Sequence, residues 1–284
     1  MISFGIRNLK VFFKDRAAVF FSLMAVFIII GLYALFLGNV WTSSYKGLTG
    51  VRYMMDSWIM AGLLAVTTVT TTMGAFGTMV HDKEKKITKD FAASPVSKNS
   101  IVGGYIFGAV IIGIIMSLVT LVLAEIYIVL NGGELMGILT LLKVLGLIVL
   151  CTLCNTSLVL FIVSFFSSSN AFATASTILG TLIGFITGIY LPIGTLPAGV
   201  QWVVKCFPVS HGAALFRQVM MASPMAKSFT GAPAQTVSAF KEMMGVNFKF
   251  GDTVCTSLTS IIILLASTAI FYVLALINLS RKEK

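Results

Sequence analysis

Apolar positions along this chain fall into six long runs separated by short polar segments. The runs cover residues 17–38, 57–80, 100–130, 137–166, 171–191 and 253–279. A membrane-crossing helix needs about 20 mainly apolar residues at a rise of about 1.5 Å each, and each run is long enough. Because the runs are continuously apolar and do not alternate with polar residues, they predict helices and not the strands of a barrel. We therefore expect an all-α polytopic membrane protein with six transmembrane helices.

The first 16 residues predict a separate helix. Ile2, Ile6, Leu9 and Phe13 recur at three- and four-residue spacing, with basic residues between them. This pattern is typical of an amphipathic helix that lies along a membrane surface. It fits two roles: a topological anchor, or an interfacial helix that transmits motion from a cytoplasmic partner.

Two of the segments between the apolar runs are long enough for structure of their own. Residues 81–99 mix charges with good helix formers, and Pro95 limits the helix that they predict. Residues 192–252 contain several prolines and Trp202, and their apolar stretches are too short to cross a membrane. We expect re-entrant helices that enter the outer leaflet and return before the sixth span, because non-helical backbone at that depth must be buried in protein or line a water-filled cavity. A small external cap follows.

The composition excludes a soluble protein. Hydrophobic residues make up 57% of the 284 residues and charged residues only 11%, whereas soluble domains carry roughly 25% charged residues. The net charge of +10 is explained by topology: the N-terminal tail, residues 81–99 and the C-terminus hold four, five and three of the 20 Lys and Arg. By the positive-inside rule both termini are cytoplasmic and the chain lies in the cytoplasmic membrane. Nucleic-acid binding is therefore not expected.

Motifs of catalysis are missing from the sequence. It has no H-E-x-x-H, no G-x-S-x-G and no Gly-Lys dipeptide, so it lacks a Walker A loop for ATP. His81 and His211 fall on opposite sides of the predicted membrane and cannot share a metal. Cys151 and Cys154 form C-x-x-C inside a span, where packing is favoured over redox chemistry. We predict that the chain is not an enzyme and binds no cofactor or metal.

Threonines occupy five of the six positions 67–72 in the second span. Threonine hydroxyls bond to a carbonyl of their own helix or to a neighbouring helix. Five of them cannot share one face, so we expect Thr67, Thr68 and Thr71 to meet a cavity or a partner helix.

The fifth span carries a row of small residues at four-residue spacing. Its members are Ser176, Gly180, Gly184 and Gly188. Such rows allow helix backbones to approach closely, and the three glycines predict close packing within or between subunits.

Glu125 and Lys143 are charged residues inside the third and fourth spans. An antiparallel hairpin places them at similar depth near the outer end. We expect a structural ion pair, which the pattern favours over proton coupling.

The order of these features resembles the permease subunit of type-2 ATP-binding-cassette (ABC-2) transporters. The most specific pieces are ASPVSK at residues 93–98 and LPIGTLPAGVQWVVKCFPVSHGAALFRQ at residues 191–218. The resemblance covers nearly the whole chain. This sequence departs from the family at Lys86, near which the family often has glycine.

The resemblance implies that a separate nucleotide-binding ATPase subunit, carrying ATP and Mg²⁺, docks on the cytoplasmic helices. It also implies a second permease, either a copy or a paralogue, and a central cavity lined by spans two and five. Relatives export drugs, peptides, lipids or glycan precursors, so multidrug or antibiotic efflux is one expectation. We expect Asp82, Glu84, Asp90 and Phe91 to couple to the ATPase. The alternative is a secondary transporter or channel that works without an ATPase.

Overall fold

The computed structural model describes residues 1–45, 47–92 and 97–281, which form a helical protein. Its α-helices are α1 Ile2–Lys14, α2 Arg16–Ser22, α3 Met24–Leu32, α4 Gly38–Ser44, α5 Val51–Glu84, α6 Ile87–Ala92, α7 Lys98–Leu130, α8 Ile138–Val163, α9 Ser169–Ile186, α10 Ala198–Cys206, α11 Pro208–Met220, α12 Ala222–Ser228, α13 Ala234–Met243 and α14 Ser257–Arg281. The other described elements are a π-helical turn at Tyr33–Leu37, a 3-10 turn at Ile193–Thr195 and a hairpin of β1 Lys249–Phe250 with β2 Thr253–Val254.

Five of the described helices, α5, α7, α8, α9 and α14, are long and apolar enough to cross a membrane. A sixth span is obtained if α2 and α3, bent by 41°, are counted as one. The predicted all-α polytopic fold is therefore confirmed. The helix bounds differ from the predicted runs: α5 extends past residues 57–80 at both ends, and α14 begins only at Ser257 because residues 253–254 pair in the hairpin.

Helix α5 is the centre of the bundle. It packs against α7, α8, α9 and α11 and is buried along most of its length. Helices α9 and α14, by contrast, leave most of their apolar surface exposed in the single chain. The C-terminal end of α5 meets α1 and the start of α7. We call this end of the bundle the basic end, because α1 and residues 81–99 carry many of the Lys and Arg residues. The N-terminal end of α5 meets α11 and α12, and we call this the cap end.

Helix α1 packs on α7 through small and polar residues. A Cβ at Gly5 would lie 3.3 Å from the carbonyl oxygen of Gly104, and the Asn8 side chain donates to that same oxygen at 3.3 Å. The isoleucines that predicted an amphipathic helix, Ile2 and Ile6, are instead exposed. Glycines on both helices allow the close approach. Ile2 and Ile6 remain on the outer surface, whereas Phe12 is buried in the core.

The connection from α5 to α7 turns sharply at Lys86. Among the described residues other than glycine, Lys86 is the one with a positive φ, at 60°. This left-handed conformation costs an L-residue about 1–2 kcal/mol. The strain gives a physical reason for the glycine that the family often has near this position. Residues 93–96, the first four of the ASPVSK motif, lie outside the described residues.

The segment before the last span contains two helices too short to cross a membrane, α10 with 9 residues and α11 with 13. Phe207 separates them in an extended conformation (φ −83°, ψ 132°), as expected for the residue before a proline. Helix α11 is buried against α5, α8 and α14, whereas α10 exposes Trp202 and Val203. This arrangement agrees with the re-entrant helices that the sequence predicts.

Candidate functional site

A cleft of about 940 Å³ opens at the basic end of the bundle. Its walls are α1, α2, the start of α3, the C-terminal half of α5 and the N-terminal half of α9. The lining consists of Arg7, Val11, Phe12, Asp15, Ala18, Phe21, Ser22, Ala25, Thr70, Met73, Gly74, Gly77, Thr78, His81, Asp82, Ile87, Ser169, Phe172, Ala173, Ser176 and Thr177. The cleft is large enough for a drug-sized molecule, since such sites occupy about 300–1,000 Å³.

Two stripes of small residues leave room for this cleft. On α5 the small lining residues Thr70, Gly74, Gly77 and Thr78 recur at three- and four-residue spacing. On α9 the small lining residues Ser169, Ala173, Ser176 and Thr177 recur at the same spacing. Positions three and four apart share one face of a helix. Ser176 belongs to the predicted small-residue row of the fifth span, whereas Gly74 and Gly77 of α5 were not among the predicted residues, although their spacing is visible in the sequence.

The threonines predicted to meet a cavity or a partner helix are buried in the protein core. Thr67, Thr68 and Thr71 are at most 1% exposed, and each donates its hydroxyl proton to a carbonyl of its own helix. Thr68 also accepts a 2.8 Å hydrogen bond from Asn155 of α8. Thr68 therefore lies at a helix interface, and Thr70 is the threonine of this run that reaches the cleft.

Asp82 is the centre of a buried network at the basic end. Its two carboxylate oxygens accept hydrogen bonds from Arg7 of α1 at 2.6 and 3.1 Å, and Tyr105 of α7 donates to one of them at 2.6 Å. Asp82 is 2% exposed, while the Arg7 side chain is 34% exposed. The hydrogen bond to Asp82 raises the pKa of Arg7, so Arg7 is a cation at every physiological pH. The network joins α1, α5 and α7.

The other predicted coupling residues have different surroundings. Phe91 of α6 packs edge-on against Phe4 of α1, with ring centroids 5.0 Å apart, and Arg7 lies 5.4 Å above the Phe91 ring. The Glu84 carboxylate accepts hydrogen bonds from the backbone and side chain of Ser169, the first residue of α9. Asp90 is exposed. The expected contact of these residues with an ATPase stays a prediction.

The three glycines of the fifth span do not form one continuous packing face. Helix α9 ends at Ile186, and Gly188 lies beyond it with φ +68°. The N–H groups of Gly188 and Ile189 bond back to residues 185 and 184, which is the glycine-terminated Schellman cap. The predicted packing role of Gly188 is thereby corrected to a helix cap.

Gly180 and Gly184 differ in their neighbours. A Cβ at Gly184 would overlap the ring of Tyr190 from the same chain. No described atom lies within 4 Å of the position that a Cβ would take at Gly180. The side of α9 near Gly180 is therefore open in the single chain.

Glu125 has a different partner from the predicted Lys143. Its carboxylate accepts a 3.1 Å hydrogen bond from the backbone N–H of Met136, in the loop between α7 and α8. Lys143 is exposed on α8, and the described residues form no ion pair between the two. Ion pairs among the residues that the structure describes join Arg7 to Asp82, Arg52 to Asp56 and Lys227 to Glu134. Glu125 therefore fixes the turn through a backbone group that sequence spacing could not reveal.

A buried arginine ties the cap end together. Arg217 of α11 is fully buried, and its guanidinium lies 4.8 Å from the ring of Trp58 on α5. It donates to the carbonyl oxygens of Gly188 at 3.2 Å and Gly245 at 3.5 Å, which follow the C-terminal ends of α9 and α13. Carbonyls at helix ends carry partial negative charge. They take the place of a carboxylate partner, and sequence analysis found no signal for this contact.

Comparison with known families agrees with this architecture. A family described as ABC-2 family transporter protein matches residues 38–277. This range contains the spanning helices α5, α7, α8 and α9 and most of α14, but not α2 or α3. No match was found among curated proteins. Since the family match covers most of the chain, this membrane protein belongs to the ABC-2 transporter family.

Proposed function

We propose that this chain is the permease subunit of an ABC exporter in the cytoplasmic membrane, with both termini on the cytoplasmic side. A separate subunit hydrolyses ATP, and two permeases, identical or paralogous, form the pathway. The substrate is an amphipathic molecule such as a drug, peptide, lipid or glycan precursor. In this proposal the basic end faces the ATPase and the cap end faces outward.

The observation that carries the proposal is the set of contacts made by residues 82–91. Asp82 binds α1 and α7, Glu84 binds the first residue of α9, and Phe91 packs on α1. Helices α1, α5 and α9 are walls of the cleft. Asp82 and Glu84 belong to the C-terminal end of α5 and Phe91 belongs to α6. An ATPase that displaces this end of α5 together with α6 would therefore act on three walls of the cleft at once, as coupling to transport requires.

The exposed apolar surfaces of α9 and α14 support a second permease in the complex. Ile178 and Leu182 of α9 are about half exposed, at 56% and 48%, and the side of α9 near Gly180 is open. Small residues allow close helix contact in membranes. Lipid covers whatever part of these surfaces the second subunit leaves free.

Reconstitution tests the proposal. Proteoliposomes containing the permease with and without its ATPase subunit are assayed for substrate movement and ATP hydrolysis. We expect transport only with the ATPase and ATP. Full transport by the purified permease alone would contradict the proposal and favour a secondary transporter or channel.

Variants of the α6 region sharpen this test. Phe91→Ala removes a ring packed on α1. Lys85→Ala removes an exposed charge in the connection between α5 and α6. A packed aromatic group can contribute 2 kcal/mol or more to a contact, and a rim charge contributes about 0–1 kcal/mol. We expect Phe91→Ala to uncouple ATP hydrolysis from transport more strongly than Lys85→Ala, at equal membrane insertion. Equal coupling in both variants would contradict this route of transmission.

A further inference from the structure

Three hydroxyl groups of the cleft lining offer acceptors to a bound molecule, whereas the hydroxyl of Ser176 has no partner among the described residues. Ser22, Thr70 and Thr177 each donate their proton to a carbonyl three or four residues earlier in their own helix, at 2.8, 3.4 and 3.1 Å. A hydroxyl has one proton and two lone pairs. Since the proton is used within the helix, these side chains present oxygen lone pairs to whatever fills the cleft.

The cleft lining contains one carboxylate that no ion pair neutralises in the described part of the chain. Its ionisable residues are Arg7, Asp15, His81 and Asp82. Arg7 and Asp82 neutralise each other in a bidentate ion pair. The Asp15 carboxylate accepts a 3.0 Å hydrogen bond from the backbone N–H of Ala18 and forms no ion pair in the described part of the chain. The lining therefore contains one carboxylate, Asp15, without an ion-pair partner among the described residues, in a chain whose net charge is +10.

The basic neighbours of Asp15 in the sequence do not line the cleft. Lys14 and Arg16 are exposed, and neither belongs to the lining. Exposed charges are screened by salt over about 10 Å. Asp15 is exposed as well, so salt screens all three charges, but of the three Asp15 is the one that borders the cleft and lies nearest to a molecule bound there.

Aromatic rings complete the lining. Phe12, Phe21 and Phe172 contribute to the walls, and Phe21 is 66% exposed. The faces of aromatic rings attract cations and also provide apolar contact area. Acceptor oxygens, an uncompensated carboxylate and aromatic rings all favour the same kind of ligand.

We infer that the molecule this cleft binds is a cationic amphiphile, a lipophilic monocation with aromatic or aliphatic groups. This substrate class rests on the proposed function. A membrane potential that is negative inside holds such cations back by about 50-fold per 100 mV, so their outward movement needs an energy source. ATP hydrolysis by the partner subunit supplies it in the proposed complex.

Two ions of similar size and opposite charge test the inference. The permease in lipid nanodiscs is dialysed against tetraphenylphosphonium or tetraphenylborate, and binding to empty nanodiscs is subtracted. We expect the permease to bind the cation more tightly. Asp15→Asn should weaken binding of the cation about tenfold, the effect of one charge at about 6 Å with an effective dielectric constant near 40. Binding of tetraphenylborate should be unchanged or stronger.

The choice of variants separates charge from structure. Asparagine is as good a helix N-cap as aspartate, so Asp15→Asn keeps the start of α2, where Asp15 caps the helix. Glu242→Gln removes an exposed carboxylate of α13, outside the cleft, and should change neither affinity. Ala173→Phe places a bulky ring at an exposed lining position and should weaken binding of both ions.

Each outcome decides the inference. Equal binding of the two ions, stronger specific binding of tetraphenylborate, or unchanged cation binding in Asp15→Asn would overturn it, and so would full binding in Ala173→Phe. Proteoliposomes containing the ATPase distinguish this failure from failure of the proposed function. ATP-driven movement of another substrate without binding of tetraphenylphosphonium rejects the substrate class alone. Cation binding without any ATP-driven transport rejects the exporter and leaves the cleft as a cation site.

Discussion

The ion pair between Arg7 and Asp82 is the contact whose loss has the most readily measured consequence. Asp82→Asn keeps the shape of the side chain but removes the negative charge of the carboxylate, whose oxygens accept hydrogen bonds from Arg7 and Tyr105. Breaking a fully buried pair costs about 3–5 kcal/mol, and hydrogen bonds to charged groups contribute about 1.5–3 kcal/mol each. Because the Arg7 side chain is 34% exposed, water solvates part of the stranded charge. We therefore expect a loss of about 2–3 kcal/mol.

The assay is thermal unfolding of the purified protein in one detergent. At about 2–4 °C per kcal/mol for domains of 150–250 residues, the midpoint of Asp82→Asn should fall by about 4–12 °C. The matched control is Asp90→Asn, which removes an exposed carboxylate on the neighbouring helix α6. Its unfolding midpoint should stay within about 1–2 °C of the wild-type midpoint, since surface substitutions usually change stability by less than about 0.5 kcal/mol.

A double-mutant cycle with Arg7→Met isolates the pair itself. If the ion pair carries the effect, the double variant Arg7→Met, Asp82→Asn should lose less than the two single losses added together, with a coupling energy of at least about 1 kcal/mol. Additive losses, or a midpoint of Asp82→Asn within 1–2 °C of the wild type (about 0.5 kcal/mol), would refute the argument that this pair fastens α1 to the bundle.

Three further predictions concern the backbone and the cap end. Lys86→Gly should stabilise the protein by about 0.5–1 kcal/mol, because relief of positive-φ strain exceeds the entropy cost of glycine; an equal gain in Lys86→Ala would show that strain is not the cause. Arg217→Lys should lower stability by about 2 kcal/mol in urea unfolding, because an ammonium cannot donate to both helix-end carbonyls while stacked on the indole ring; an unchanged midpoint would contradict this contact. Gly184→Ala should lower the yield of folded protein through overlap with Tyr190, and Tyr190→Ala should restore it; a double variant no better than Gly184→Ala would reject the overlap.

The spans could be predicted from the sequence because lipid imposes one requirement on every one of them, a long apolar run with its backbone bonds made internally. The helix ends depend on local contacts instead. The predicted fifth span ran on to Leu191, but the backbone bonds of Gly188 close α9 at Ile186. Apolarity continues past this cap, so hydropathy alone could not locate it.

The candidate site was harder to predict than the fold. The expected Glu125–Lys143 pair rested on equal depth in the membrane, and a backbone N–H proved to be the partner of Glu125. The Arg7–Asp82 pair joins residues 75 positions apart, and nothing in either local sequence indicates the other. Long-range polar contacts are set by packing of whole helices, which a periodicity analysis does not contain.

The contact of α1 with α7 has a consequence for how the protein is made. Asn8 and its acceptor on α7 are 96 residues apart in the chain, so at about 5–20 residues per second the ribosome needs about 5–20 s to produce the surface on which α1 rests. Although the end of α5 that carries Asp82 is made before α7, α1 lacks α7 during that time. Its exposed isoleucines can lie in the membrane surface while it waits, as interfacial helices do. The residues left outside the core of the finished protein thus serve its assembly.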